Sequence, residues 1–261
     1  MDLKKKVAIV TGAGTGIGAA TAKLLAEKGC RVAVNFCTSE AGARATVAAC
    51  EAAGSEAMAV QGDVAVDADC RRIAETAVKR WGRIDALVNN AGVTRYVDSA
   101  DLEGLTLDDF HHIFGVNVFG AFQMTRAVVP HMRAVKQGAV VMVSSISGVH
   151  GKGSSMAYAV SKGALNTMTL SLARVLGPEI RVNAVCPGTV MTDWGRKQKG
   201  EAFVRDGWAA NERTVVLGRS IPPEEIASSI VWFIESGDTV TGSTLLIDAG
   251  QNLGPVSPPR S

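Results

Sequence analysis

The sequence predicts a single α/β domain: a doubly wound, mostly parallel β-sheet flanked by helices on both faces. Three observations carry that expectation. Short β-branched runs alternate with longer amphipathic stretches along the whole chain, and such alternation requires crossover connections between parallel strands. Several of the runs are apolar almost throughout, as strands covered on both faces must be. A glycine-rich turn, "TGAGTGIG" (11–18), stands between the first run and the first helical stretch, where this architecture places a ligand-binding turn.

The elements follow in order. "KVAIVT" (6–11) leads into a helix from Gly16, and "RVAVNF" (31–36) into "SEAGARATVAACEAAG" (39–54). "EAMAVQGD" (56–63) precedes the helix "DADCRRIAETAVKRWG" (67–82), and "DALVNNAG" (85–92) precedes a long helix from about Leu107 to about Val135. Next come "AVVMVSS" (139–145), a helix holding Tyr158, and "IRVNAVCPG" (180–188). The helix "PPEEIASSIVWFIESG" (222–237) and "STLLID" (243–248) complete the series. Pro222 and Pro223 suit a first helical turn, where a missing N–H costs nothing. The polar stretch 189–219, with Trp194 and Trp208 in it, resists assignment; a long loop in a compact domain is a lid or a disordered insert, and the lid is the preferred reading. No internal linker or repeat is present, so one domain is expected over 1–254, with a fraying tail at 255–261.

Bulk properties narrow the function. The 261 residues are 47% hydrophobic, enough for a full core, and Lys+Arg 27 against Asp+Glu 25 leaves a net charge of +2. No basic stripe interleaves with aromatics, which argues against nucleic acid. No apolar run reaches about 18 residues, and Gly12, Gly14, Gly16 and Gly18 interrupt the stretch after the N-terminal lysines before it could serve as a secretory core. The expectation is a protein with no membrane partner. Five scattered cysteines (Cys30, Cys37, Cys50, Cys70, Cys186) form no Cys-x-x-Cys pair, so a reducing cytoplasm is the expected home. His111, His112, His131 and His150 have no metal-ligand spacing, and no metal is expected.

Two motifs carry chemistry. The glycines of the turn read Gly12-xxx-Gly16-x-Gly18: the first permits a tight turn, the second a close approach to a pyrophosphate, the third close packing of helix on strand. With no Gly-Lys-Ser/Thr ending, the turn suits a dinucleotide better than ATP. In "SSMAYAVSKGAL" (154–165), Tyr158 and Lys162 lie four apart and so on one helix face. Taken alone, that pair is either ordinary packing with a snorkelling lysine or a phenol placed beside a cation.

In this order and context, "TGAGTGIG" (11–18), "NNAG" (89–92), Ser145 ahead of "YAVSK" (158–162) and "PGTVMT" (187–192) resemble the signatures of the short-chain dehydrogenase/reductase family, over about Lys6 to Leu253. The resemblance implies a Rossmann-type fold and hydride transfer between a nicotinamide and a carbonyl or secondary alcohol. "NNAGVTR" and "LGRSIPPEEIA" look most like its 3-oxoacyl-thioester reductases; an NAD-linked dehydrogenase of a secondary alcohol, sugar or steroid, and more remotely a non-catalytic dinucleotide sensor, stand as alternatives. It also implies Tyr158 as the proton-transferring acid or base, with Lys162 favouring the phenolate. Ser145, thirteen positions before the tyrosine, would hold the substrate oxygen, ahead of the rivals Ser144 and Ser147. Asn117 would be the fourth member, at a helix distortion whose carbonyl holds a water leading to Lys162, although a solvated or capping Asn reads equally well from the residues. The dinucleotide would lie against Gly12, Thr15, Gly16, Ile17 and Gly18, Asn35 and Thr38, Asp63 and Val64, Asn90, Ala91 and Gly92, Tyr158 and Lys162, and Pro187, Gly188, Val190 and Thr192. Asn89 and Gly92 would shape the floor of the adenosine side. Small residues Ala157, Ala164 and Thr167 on one of two long helices would support a homotetramer.

Cofactor choice turns on strand two. NAD-specific folds place a carboxylate near its end; here Val34-Asn35-Phe36-Cys37-Thr38-Ser39 offers none until Glu40. No arginine or lysine stands ready for a 2′-phosphate either, but Thr15, Asn35, Thr38 and Ser39 can donate hydrogen bonds beside a helix N-terminus. NADP(H) is therefore the expected preference, with NAD(H) accepted.

Overall fold

The computed structural model describes residues 1–255; of the expected tail, residues 256–261 lie outside them. Seven strands form one sheet in the order β3-β2-β1-β4-β5-β6-β7: β1 (Val7–Val10), β2 (Arg31–Phe36), β3 (Ala57–Gln61), β4 (Ala86–Asn89), β5 (Gly138–Val143), β6 (Ile180–Pro187) and β7 (Thr244–Ile247). Every pairing is parallel. The order reverses between β1 and β4, the switch point outside which such sheets bind ligands. β1, β4 and β5 are buried along their whole length, because both faces are covered. On one face α1 (Gly16–Glu27), α2 (Glu40–Ala52) and α10 (Pro223–Glu235) pack through Leu25, Ala43, Ile226 and Phe233. On the other, α3 (Asp67–Trp81), α5 (Ala121–Ala134) and α7 (Met156–Leu176) pack through Ile73, Met124, Val128 and Leu165.

The helix expected over 107–135 is composite. α4 (Leu107–Phe114), capped by a reciprocal Thr106–Asp109 box, runs into a π-helical segment, Gly115–Gly120, and on into α5. The Ala121 amide, which an α turn would aim at Asn117, donates instead to the Val118 carbonyl.

β1, β4 and β5 stop short of the quoted runs at their carboxyl ends, although the Thr11 and Ser144 amides still donate to the Val88 and Val185 carbonyls. The stretch 189–219 is no long loop. It carries the short helix α8 (Arg196–Lys199) and α9 (Glu201–Thr214), after α6 (Ser147–His150) earlier in the chain. Gly195 and Gly200, both at φ +85°, bound α8. Gly207 inside α9 and an inward face of only Val204, Trp208 and Asn211 weaken the periodic signal that would have marked a helix. Among the described residues no helix is long and apolar enough to cross a membrane.

Candidate active site

The glycine turn is a cradle with built walls. Gly12, at φ +60°, comes so close to β4 that a Cβ would stand 2.9 Å from the Ala91 Cα; a Cβ on Gly18 would stand 2.5 Å from the Asn90 amide nitrogen. Gly16, at φ +56°, faces Thr192, whose methyl is 3.3 Å from where its Cβ would be. The glycines thus let the turn pack against its neighbours with its backbone bare, and a bare turn at the N-terminus of α1 fits the diphosphate of a dinucleotide. Thr15 sits exposed at the N-cap position of that helix, its hydroxyl making no capping bond, while the side chain of Ile17 packs against the core.

Side chains hold the turn in shape. The Asn90 amide donates to the carbonyls of Thr11 (2.8 Å) and Gly12 (3.1 Å), and the Thr11 hydroxyl accepts the amides of Asn90 and Ala91 at 2.9 and 3.0 Å. Asn35 departs from expectation. It is buried, accepts the Gly12 amide at 3.3 Å and donates to the carbonyls of Val60 and Gly62 at 3.2 and 3.0 Å. Buried, and with both amide protons given to backbone carbonyls, it has no donor left for a 2′-phosphate. It acts as a brace, whereas Thr38 is exposed just beyond β2. Sequence reasoning missed Gly42, where a Cβ would stand 2.3 Å from the Gly14 carbonyl, and Thr46, which donates to the Ala13 carbonyl at 3.0 Å. A glycine inside a helical pattern was the available signal for this close approach.

On the adenosine side, one Asp63 oxygen accepts the Ala65 amide at 2.9 Å. Val64 turns its side chain onto Gly120. Asn89 forms no floor: it is buried and donates to Thr125 Oγ1 at 3.0 Å, joining β4 to α5. Gly92 lies instead beside the Tyr158–Lys162 pair: a Cβ there would be 3.5 Å from Asn117 Oδ1 and 3.6 Å from Lys162 Nζ. Across the crevice, the Pro187 carbonyl accepts the Ile146 amide, Gly188 backs against Asp248, and Val190 bridges to Ile221, presenting Thr192 to the glycine turn.

Tyr158 and Lys162 stand together at the carboxyl ends of β5 and β6. Ser155 caps α7 by accepting the Tyr158 amide. Lys162 is buried and donates from Nζ to the Val143 carbonyl at 2.8 Å, with Nζ 5.5 Å from the centre of the Tyr158 ring. Burial pushes the ammonium down to about 8, opposed by the nearby Cys186 thiol. Burial likewise pushes the Tyr158 phenol up to about 12, opposed by its hydrogen bond to the Ser145 side chain. For these two side chains without a ligand, desolvation is the largest influence on the phenol, and the ammonium, one of whose three donors goes to Val143, keeps its charge beside the ring.

Ser145 lies two residues beyond β5, on the crevice side. Its hydroxyl donates to Ser147 Oγ and accepts the Ser147 amide, both at 3.1 Å. Ser144 points away and anchors α7 through the Lys162 carbonyl at 2.9 Å. Asn117 is neither a solvated nor a capping residue. It is buried in the π segment, accepts the Val93 amide at 2.8 Å and donates to the Val93 carbonyl at 3.1 Å.

The 189–219 segment reaches these groups and the 94–96 stretch through a few side chains. The Trp194 ring lies 6.0 Å from that of Tyr158. Gln198 accepts the Tyr96 amide at 3.1 Å and donates to the Thr94 carbonyl at 2.7 Å, and Phe203 meets Tyr96 edge-on at 5.5 Å.

A cradle suited to a diphosphate, with a half-buried phenol and a buried ammonium beside it, belongs to the dinucleotide-dependent oxidoreductases. Comparison with known proteins narrows this. A family model described as enoyl-(acyl carrier protein) reductase matches residues 12–252. The chain is 41% identical over 247 residues to a granaticin polyketide synthase putative ketoacyl reductase 2 of Streptomyces violaceoruber, covering 95% of this chain and 96% of that protein. It is 36% identical to an L-rhamnose 1-dehydrogenase (NAD(P)(+)) of Sphingomonas sp., over 95% and 96% of the two chains. A putative short-chain dehydrogenase/reductase from Burkholderia xenovorans superposes with a TM-score of 0.88 at 38% identity, over 95% and 98%. The chain belongs to the short-chain dehydrogenase/reductase family.

Proposed function

We propose that the protein reduces the ketone of a 3-oxoacyl thioester or a related carbonyl with NADPH. The observation that carries this reading is the gathering of Tyr158, Lys162 and Ser145 beside the dinucleotide cradle, with Lys162 Nζ 5.5 Å from the centre of the Tyr158 ring. Bound dinucleotide supplies the hydride. Ser145, steadied by Ser147, holds the substrate oxygen. Tyr158 keeps its proton through the neutral range and gives it to the alkoxide as charge develops there. Lys162 holds a positive charge beneath the ring, and Asn117 fixes the π segment beside it. Trp194 excludes water from the phenol.

Thr15, Gly16, Ile17 and Gly18 would face the diphosphate, Asp63 and Val64 the adenine, and Val190 and Thr192 the nicotinamide. With Asn35 withdrawn, the preference for NADP(H) rests on Thr15, Thr38, Ser39 and the N-terminus of α2, with no carboxylate before Glu40, which Arg44 neutralises through a salt bridge at 2.6 Å. We place the protein in the cytoplasm as one domain over 1–254, since its five cysteines are free and four are buried. A homotetramer is supported by the exposed apolar residues Phe119, Phe122, Val160 and Leu170 along α5, its π segment and α7. Ala157, expected on that face, is buried within the protomer.

The test is NADPH and NADH oxidation against a panel of ketones, acetoacetyl thioesters and sugars, with wild type and Tyr158→Phe. Turnover lost in the variant, with NADPH binding kept, is the expected outcome. Near-normal kcat without the phenol would overturn the assignment, a clear NADH preference the cofactor reading, and sugar or steroid oxidation alone would favour the dehydrogenase alternative.

A further inference from the structure

One buried hydroxyl between the two halves of the site has no part in the chemistry described so far. Ser161, fully buried in α7, donates from Oγ to the Tyr158 carbonyl at 2.7 Å and accepts a hydrogen bond from Asn117 Nδ2 at 3.0 Å. The first bond is the common habit of a helical serine, which returns its proton to the preceding turn. The second is not local: it crosses 44 positions of sequence to the π segment.

Among the described residues the Asn117 side-chain amide has three partners: the Val93 amide, the Val93 carbonyl and this hydroxyl. Val93 decides which way the amide faces, because it offers one donor to Oδ1 and one acceptor to Nδ2. Ser161 decides something else: how far the π segment stands from the helix turn that carries the tyrosine and the lysine. A serine hydroxyl has one proton and two lone pairs. Here the proton faces α7 and a lone pair faces Asn117, so the group is shared between the two elements. Gly92 lies at the same junction, within 3.6 Å of both Asn117 and Lys162 as measured from its Cβ position. A small relative movement of the π segment and α7 would therefore be felt at the lysine.

We propose that Ser161 is a positioning residue of this centre, setting through Asn117 where the π segment stands against Tyr158 and Lys162. The inference rests on the reading of Tyr158, Lys162 and Asn117 given above. Ser161 would touch neither substrate nor dinucleotide, so its loss should fall on kcat and not on binding.

The experiment is a double-mutant cycle of Ser161→Ala and Asn117→Ala. Single-turnover oxidation of NADPH is followed on the best ketone found, and NADPH affinity is measured by calorimetry. Misplacement of a reacting group by a fraction of an ångström to an ångström costs about ten- to a hundredfold. Ser161→Ala should accordingly slow hydride transfer at least about tenfold, with the NADPH dissociation constant within about twofold of wild type. Once Asn117 is alanine, the same change should cost less than about twofold, because the serine acts through it. Ser161→Thr, which keeps the hydroxyl, should recover most of the rate. Ser161→Cys, similar in size and a weak donor, carries the same prediction as the alanine variant should that one fail to fold.

Equal losses in the two backgrounds, an unchanged rate, or a loss that tracks weakened NADPH binding would overturn the proposal. If Tyr158→Phe and Asn117→Ala turn over normally, the reading of the site falls and the proposal with it. If both are impaired while Ser161→Ala is not, the proposal alone falls.

Discussion

Lys162 is a burden on the folded protein, and the burden can be measured without any substrate. Its ammonium titrates at about 8 in the fold against an ordinary 10.5. At about 1.4 kcal/mol per pH unit, keeping it charged costs about 3 kcal/mol below pH 8. The sign follows from the depressed value: the penalty is complete below the folded pKa, shrinks as pH rises, and vanishes above 10.5, where neither state is charged. Lys162→Met keeps the aliphatic stem and removes the charge, but it also leaves the Val143 carbonyl without its donor, at a pH-independent cost of about 1–3 kcal/mol. The stability difference at one pH is therefore a small net figure, and its slope is the informative quantity. Between pH 7 and 9.5 the advantage of the methionine variant should fall by about 2 kcal/mol. Urea denaturation followed by tryptophan fluorescence, at three pH values in that window, gives the difference directly from the midpoints and slopes. A difference that stays flat across the window would show that the lysine is not desolvated as the packing implies.

Asn35→Ala removes the acceptor for Gly12 and the donor to two carbonyls; it should cost about 2–3 kcal/mol and weaken NADPH binding by calorimetry, and unchanged affinity would show that the turn does not need its brace. Asp85, fully buried at the opposite end of the sheet, accepts from Val7 and Arg83 and pairs with Lys6 at 3.4 Å. Asp85→Ala should cost about 3 kcal/mol in denaturation and leave NADPH affinity untouched; a loss of affinity would contradict this separation of fold and site. Gly42→Ala drives a methyl against the Gly14 carbonyl and should weaken NADPH binding by more than its effect on stability accounts for; an affinity that falls only in step with stability would refute the role given to Gly42.

Most of the sheet was legible because its information is local. Apolar runs such as Val7–Val10 and Val140–Val143 need only their own composition to announce a strand covered on both sides. The Tyr158–Lys162 turn was legible for the same reason, as a spacing of four on one helix. What escaped depended on neighbours distant in sequence. Asn35 reads as a free donor at the end of a strand, and only the approach of β1 and the β3 end turns it into a brace. Lys162 reads as a charge acting on a phenol, but its burial and its bond to the Val143 carbonyl, nineteen positions away, come from the fold. α9 was illegible because its inward face mixes Val204 and Trp208 with Asn211, and Gly207 lowers the propensity in its middle. Asn117 shows the limit most plainly: the residue could be singled out, but whether it bends a helix, caps one or faces water is settled by its contacts with Val93 and Ser161.

The bonds from Thr11, Asn35 and Asn90 to the glycine turn also bear on how the dinucleotide arrives. A loop already gripped in its receiving shape gives up little freedom when a ligand settles on it. Association is then governed by encounter in the crevice, much the same for NADPH and NADH, and the two cofactors part company in how long they stay. Any discrimination between them would then lie in residence time, and stopped-flow displacement would find it in the dissociation rate.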